Sequence, residues 1–226
     1  MLHLARRVVA ESVGTGLLLA TVVGSGIMAQ RLAAPNVALI LLANAIATGA
    51  VLVAIIETFV GVSGAHFNPS VTVAEAARGG LPWREVPAYV AGQIFGGVAG
   101  VGAANVMFGL PLFAVSHHAR GGAALLFSEF VATFGLLMVI LGCSRFRPTF
   151  LPVAVGAYIT AGYWFTASTS FANPAVTIAR SLSDTFTGIR PLDVPPFVLA
   201  QLLGAIAATA LSVWLVPSIR YESHGS

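Results

Sequence analysis

The sequence predicts an all-α membrane protein of six transmembrane helices plus two re-entrant half-helices, arranged as an inverted repeat. Three observations carry this. The 226-residue chain is 57% hydrophobic and 8% charged, with a mean hydropathy of +0.90, whereas soluble proteins hold about 25% charged residues. Six apolar stretches approach or reach the about 20 residues that cross a bilayer. Between them, His66-Phe67-Asn68-Pro69-Ser70-Val71-Thr72-Val73 is echoed by Phe171-Ala172-Asn173-Pro174-Ala175-Val176-Thr177-Ile178, each part of a segment too short to span.

Val8 to Gln30 supplies the first span and Asn36 to Val60 the second. The run after Met1 is too long for a signal-peptide core and carries Glu11, so it reads as a mature first helix. Ser63 to Arg78 is short and broken by Gly64, Asn68 and Pro69. After the turn Gly79-Gly80-Leu81-Pro82, Trp83 to Phe108 is the third span. Gly109 to Gly122 is a loop holding Pro111, His117, His118 and Arg120. Ala123 to Ser144 and Phe150 to Phe165 are the fourth and fifth spans. Ser168 to Ser183 is again short, and Phe197 to Val216 is the sixth. Asn is a favoured helix N-cap and Pro is favoured at the first helical position, so each Asn-Pro marks an abrupt helix start.

The chain thus reads as three spans and one short helix, twice, within one transmembrane domain: repeat 1 at about 1–108, loop 109–122, repeat 2 at about 123–217, and a tail at 218–226. Glu11 and Glu129 recur in the first span of each half, Gln93 and Gln201 in the third. An odd number of spans per half makes the second half cross in the opposite sense, and inverted repeats with broken helices mark channels and transporters. With the N-terminus inside, Arg6, Arg7, Arg78, Arg84, Arg145, Arg147 and Arg220 fall on the cytoplasmic side and Arg31, Arg120, Arg180 and Arg190 outside, in keeping with the positive-inside rule. The expectation is a multi-pass protein of the cell inner (plasma) membrane with both termini cytoplasmic.

Non-helical backbone at membrane depth survives only when buried in protein or lining a wet cavity. Half-helices entering from opposite faces would meet N-terminus to N-terminus, each carrying roughly half a positive charge. That centre opposes cations, while the Asn68 and Asn173 amides can donate to an oxygen-bearing solute. Small uncharged polar molecules are the expected cargo.

Six spans with Asn68-Pro69-Ser70 and Asn173-Pro174-Ala175 at two half-helices, together with paired Glu11/Glu129 and Gln93/Gln201, resemble the aquaporin (major intrinsic protein) family over nearly the whole chain. The resemblance implies a homotetramer with a pore in each protomer and passive flux without cofactor or chemistry. It also implies that Glu11, Glu129 and His66 brace the backbone carbonyls leading to the half-helices. Family members usually carry Arg directly after the second motif; this chain has Val176. Family spacing puts the other filter positions at Thr48, Ala161 and Ser170, all small and uncharged. A wider filter of that kind suits glycerol- and urea-sized molecules or metalloid hydroxides such as arsenite, As(OH)₃, besides water. Thr177 replaces the Asp usual in glycerol facilitators and Phe197-Val198 the aromatic-Trp pair of water channels. The pattern is most similar to a bacterial aquaglyceroporin-like branch associated with arsenic resistance.

Arg180 lies one turn beyond Val176 on the same helix face, either as a displaced cation in the outer vestibule or as a snorkelling or helix-capping residue. His117 and His118 have no carboxylate beside them in sequence and read as plain loop, and no metal site is expected. Trp83, Trp164 and Trp214 sit near span ends, as interfacial aromatics do. A single Cys143 excludes an internal disulfide. The alternatives are a water-selective channel and an ion-coupled transporter, whose titratable candidates are Glu11, Glu57 and Glu129. No hydrolase motif or paired membrane aspartate supports an enzyme, and the sparse charge offers no nucleic-acid surface.

Overall fold

A computed structural model describes residues 3–215; Arg220, the end of the sixth span at Val216 and the expected C-terminal tail lie outside the described residues. The eight α-helices are α1 (Leu4–Ala33), α2 (Val37–Ser63), α3 (Pro69–Ala77), α4 (Val86–Met107), α5 (Ala123–Phe146), α6 (Leu151–Phe165), α7 (Pro174–Arg180) and α8 (Val194–Leu215). Six are the expected long helices; α3 and α7 are the half-helices. Five helices are long and apolar enough to cross a membrane, counting the short 3-10 turns that lead into α4 and α8. The exception is α6, with 15 residues or about 22 Å of helix. A 3-10 turn at Pro148–Phe150 extends it at one end.

The halves pack in parallel fashion. α1 lies against α2 and α4 while α5 lies against α6 and α8, and α2 meets α6 at the centre. Each half-helix reaches across: α3 touches α8 and α7 touches α4. Helix association in lipid relies on close backbone approach at small residues, and the α1–α4 crossing shows it. A Cβ on Gly96 would collide with the Ser12 carbonyl and one on Gly100 with the Gly16 carbonyl, while Ser12 Oγ donates to Gly92 O at 2.8 Å. The N-terminal face is where α1 begins; the far face carries loop 109–122. There Ala114 N and Ser116 N donate to the carbonyls of Leu182 and Ser181, laying the loop over the end of α7.

Candidate functional site

Both Asn-Pro pairs cap as expected. The Asn68 side chain accepts from Ser70 N at 2.9 Å, and that of Asn173 from Ala175 N at 2.9 Å and Val176 N at 3.3 Å, each with Pro at the helix start. The caps also join the halves. Asn68 Nδ2 donates to Ala172 O at 2.7 Å and Asn173 Nδ2 to Phe67 O at 2.8 Å. An amide nitrogen has two hydrogens, so each Asn spends one across the interface and keeps one for the cavity it lines.

The segments entering the half-helices hold Ala65, Phe67, Thr169, Ser170 and Ala172 at φ between 47° and 65°, each costing on the order of 1–3 kcal/mol. The buried carboxylates hold these turns in place. Glu11 accepts from His66 N (3.0 Å), Phe67 N (2.6 Å), Ser63 Oγ (2.6 Å) and Gln93 Nε2 (2.8 Å). Glu129 accepts from Phe171 N (2.9 Å), Ala172 N (2.9 Å) and Gln201 Nε2 (2.6 Å). This corrects the expectation that the glutamates brace carbonyls: a carboxylate accepts, so it pins the N–H groups. No described residue donates to the carbonyls of Ala65, His66, Ser170 or Phe171, and these residues line the cavity. His66 does not brace a carbonyl either. Its Nδ1 lies 3.1 Å from Thr72 Oγ1 and its ring rests on Tyr89.

Sequence singled out Thr177 only as the residue in place of an Asp and Thr72 not at all, although both stand four residues after their Asn. Thr72 Oγ1 donates to Asn68 O at 3.1 Å and accepts from Gln93; Thr177 Oγ1 donates to Asn173 O at 2.8 Å and accepts from Gln201. The repeat itself was the signal that could have found them.

One cavity of about 380 Å³ runs from Arg7, Glu75 and Leu81 near the N-terminal face, past Asn68 and Asn173, to Thr48, Tyr163 and Arg180 toward the far face. Thr48, Ser170 and Val176 line it as expected; Ala161 does not. Leu151, Val155, Ile159 and Tyr163 form the cavity stripe of α6 at i, i+4 spacing. Two positions from Ile159 is about 200° around the helix, so Ala161 is exposed on the opposite face. Tyr163 takes its place, with its hydroxyl 3.1 Å from Thr48 Oγ1. None of Glu11, Glu57 and Glu129 lines the cavity: the first and last are fully buried and Glu57 is exposed on α2.

Arg180 neither snorkels nor caps its own helix. Its side chain is 2% exposed, Nε donates to Thr187 O, and the guanidinium carbon lies 3.4 Å from the Phe171 ring centroid. Arg120 stands 5.0 Å over the same ring, with its N–H groups on the carbonyls of Gly188, Phe186 and Ser168. The loop pairing brings a carboxylate to the histidines that sequence proximity did not reveal. Asp184 accepts from His117 N at 2.9 Å and lies 3.0 Å from its Nδ1, and these bonds hold the Asp184 carboxyl below the usual carboxylate range. Burial, then the Arg120 and Arg180 charges, pull His118 below its ordinary value. No cluster of three metal-ligating side chains occurs among the described residues.

A chain of this architecture has known counterparts. The aquaglyceroporin AqpS of Rhizobium meliloti (strain 1021) is 54% identical over 217 residues, 96% of this chain and 93% of that protein. Aquaporin NIP3-1 of Oryza sativa subsp. japonica is 31% identical over 92% of this chain and 67% of its own. The X-ray structure of the aquaglyceroporin from Plasmodium falciparum shares the fold with a TM-score of 0.76 at 21% identity, covering 92% of this chain and 95% of that one. The profile of the family described as Major intrinsic protein matches residues 1–149 and 147–225. The chain therefore belongs to the major intrinsic protein family, whose fold and paired half-helices it carries.

Proposed function

We propose that this protein is a passive channel that admits glycerol- and urea-sized neutral solutes, metalloid hydroxides such as arsenite, and water, through a filter formed by Thr48, Tyr163, Ser170 and Val176. The observation that carries the reading is Val176 on the cavity wall, directly after the second Asn-Pro-Ala. A valine there leaves room that a guanidinium would fill. The solute's hydroxyls exchange water for the spare Asn68 and Asn173 amide hydrogens and the unpaired carbonyls of Ala65, His66, Ser170 and Phe171. Paired half-helix N-termini oppose cations at the same depth. The name of the R. meliloti relative, an aquaglyceroporin, supports the same cargo size. No bond is made or broken, so the protein is a channel and not an enzyme.

The working unit of this proposal is a homotetramer in the plasma membrane with cytoplasmic termini. Glu57, exposed and the sole charged residue of α2, would be costly against lipid, and a second copy over that face would relieve it. Glycerol entry into proteoliposomes, followed with and without an imposed proton gradient, tests the function. Equal downhill entry in both supports a channel; uptake that collapses without the gradient would mean a coupled transporter.

A further inference from the structure

Val176 removes a cation from the position after the motif, yet the cavity wall still carries one. Arg180 is the last residue of α7, and helix side chains lean back toward the N-terminus over the preceding turn. Its guanidinium accordingly turns back to the Phe171 ring. Three contacts fix that path. Thr187 O takes the Nε hydrogen. Phe171 lies beneath, set edge-on to Phe197 with centroids 5.5 Å apart, and Glu129 holds its N–H. Arg120, tied to three carbonyls, occupies the other approach to that ring.

The two Nη groups are different. No described residue accepts from them and no described carboxylate lies within ion-pair distance, although the side chain is 98% removed from solvent and lines the cavity. A buried guanidinium with idle donors facing a polar passage has the chemistry to take oxygen from a passing solute.

We propose that Arg180 is the filter cation of this channel, supplied from one turn beyond the usual place and held over the Phe171 ring on the cavity wall. Its ligand class is the neutral polyhydroxylated solute or undissociated oxyacid, whose oxygens accept from the Nη groups. Its fixed charge adds to the half-helix dipoles in excluding cations. Residues 176 and 180 are thus alternative places for a cation on one helix face. The inference rests on the filter reading above.

The test uses the full chain in proteoliposomes, with glycerol and water followed by light scattering and methylammonium leak by uptake of the radiolabelled cation at acidic pH, where little neutral amine is present. Arg180→Ala is expected to raise the methylammonium leak relative to water flux by roughly tenfold, the scale of one charge-assisted contact. Val176→Arg combined with Arg180→Ala is expected to return the leak to the wild-type level. Arg180→Lys keeps the charge but not the planar fork, so its leak should stay low while its glycerol-to-water ratio falls. A folded Arg180→Ala protein with wild-type leak and wild-type glycerol-to-water ratio would overturn the proposal. Should the alanine variant fail to fold, an unchanged glycerol-to-water ratio in Arg180→Lys would overturn it equally. A wild-type protein that passes water but no glycerol would defeat the filter reading instead, and the methylammonium arm would still decide Arg180.

Discussion

Replacing Glu129 by Gln keeps the shape of the side chain and exchanges one acceptor oxygen for an NH₂ group. Glu129 is fully buried and accepts from Phe171 N, Ala172 N and Gln201 Nε2. The Gln oxygen can keep one backbone N–H, and its amide nitrogen then faces the other donor. A buried N–H left unmet costs about 1–3 kcal/mol, and the surviving bonds lose the strength that the charge lent them, about 1 kcal/mol more. The loss falls where the backbone has no slack, since Ser170 and Ala172 sit at φ 51° and 47°. The total of about 3 kcal/mol corresponds to a fall in melting temperature of about 10 °C for a chain of this size. Thermal unfolding in detergent, read by tryptophan fluorescence, measures it, and glycerol flux should fall with it as the Ser170–Ala172 turn relaxes. A Glu129→Gln protein that melts within about 2 °C of wild type and conducts normally would refute the claim that this carboxylate holds the turn.

Val176→Arg, with Arg180 retained, should cut glycerol flux by about tenfold or more and water flux much less, because a smaller molecule tolerates the narrowed aperture; equal losses in stopped-flow traces would count against the filter. Gly100→Val should cost more than about 2 kcal/mol by driving a side chain into the Gly16 backbone, whereas Gly61→Ala, with open space around it, should stay within about 1 kcal/mol of wild type; chemical denaturation in detergent ranks the two. His118 should titrate below 6.5 by NMR. Because its folded value is lowered, the stability that its neutral form contributes is full above pH 6.5 and declines as the pH falls through that value toward the folded one. Arg120→Ala should move the titration back up, and a His118 that titrates at or above 6.5 in wild type would show the surrounding charges to be misplaced.

What the sequence made legible was what it states twice. Asn68 and Asn173 announce helix starts by local chemistry, and the recurrence of the Glu and Gln pairs marks the residues that the structure joins in one buried network. Family spacing points to Ala161 because it assumes a fixed path between α6 and α7. The Thr166–Asn173 segment, with left-handed residues at 169, 170 and 172, makes that path depend on tertiary pinning, and Tyr163 reaches the cavity instead. The part played by the glutamates follows from the chemistry of the group: a carboxylate only accepts, so Glu11 and Glu129 pair with N–H groups and leave the carbonyls free. Arg180 was placed on the correct face, but whether it leaves for the headgroups or folds back depends on Phe171 and Thr187, which lie in other segments. Asp184 beside His117 is a contact between distant loops, and no spacing rule encodes it.

The central claim is that this pore is wide enough at Val176 for solutes beyond water. Stopped-flow swelling of proteoliposomes with water, glycerol, urea and arsenite, measured side by side on one preparation, tests it most directly. Glycerol, urea and arsenite should each enter well above protein-free liposomes, together with water. Water permeability far above that of every solute, with solute entry no faster than through bare lipid, would contradict it.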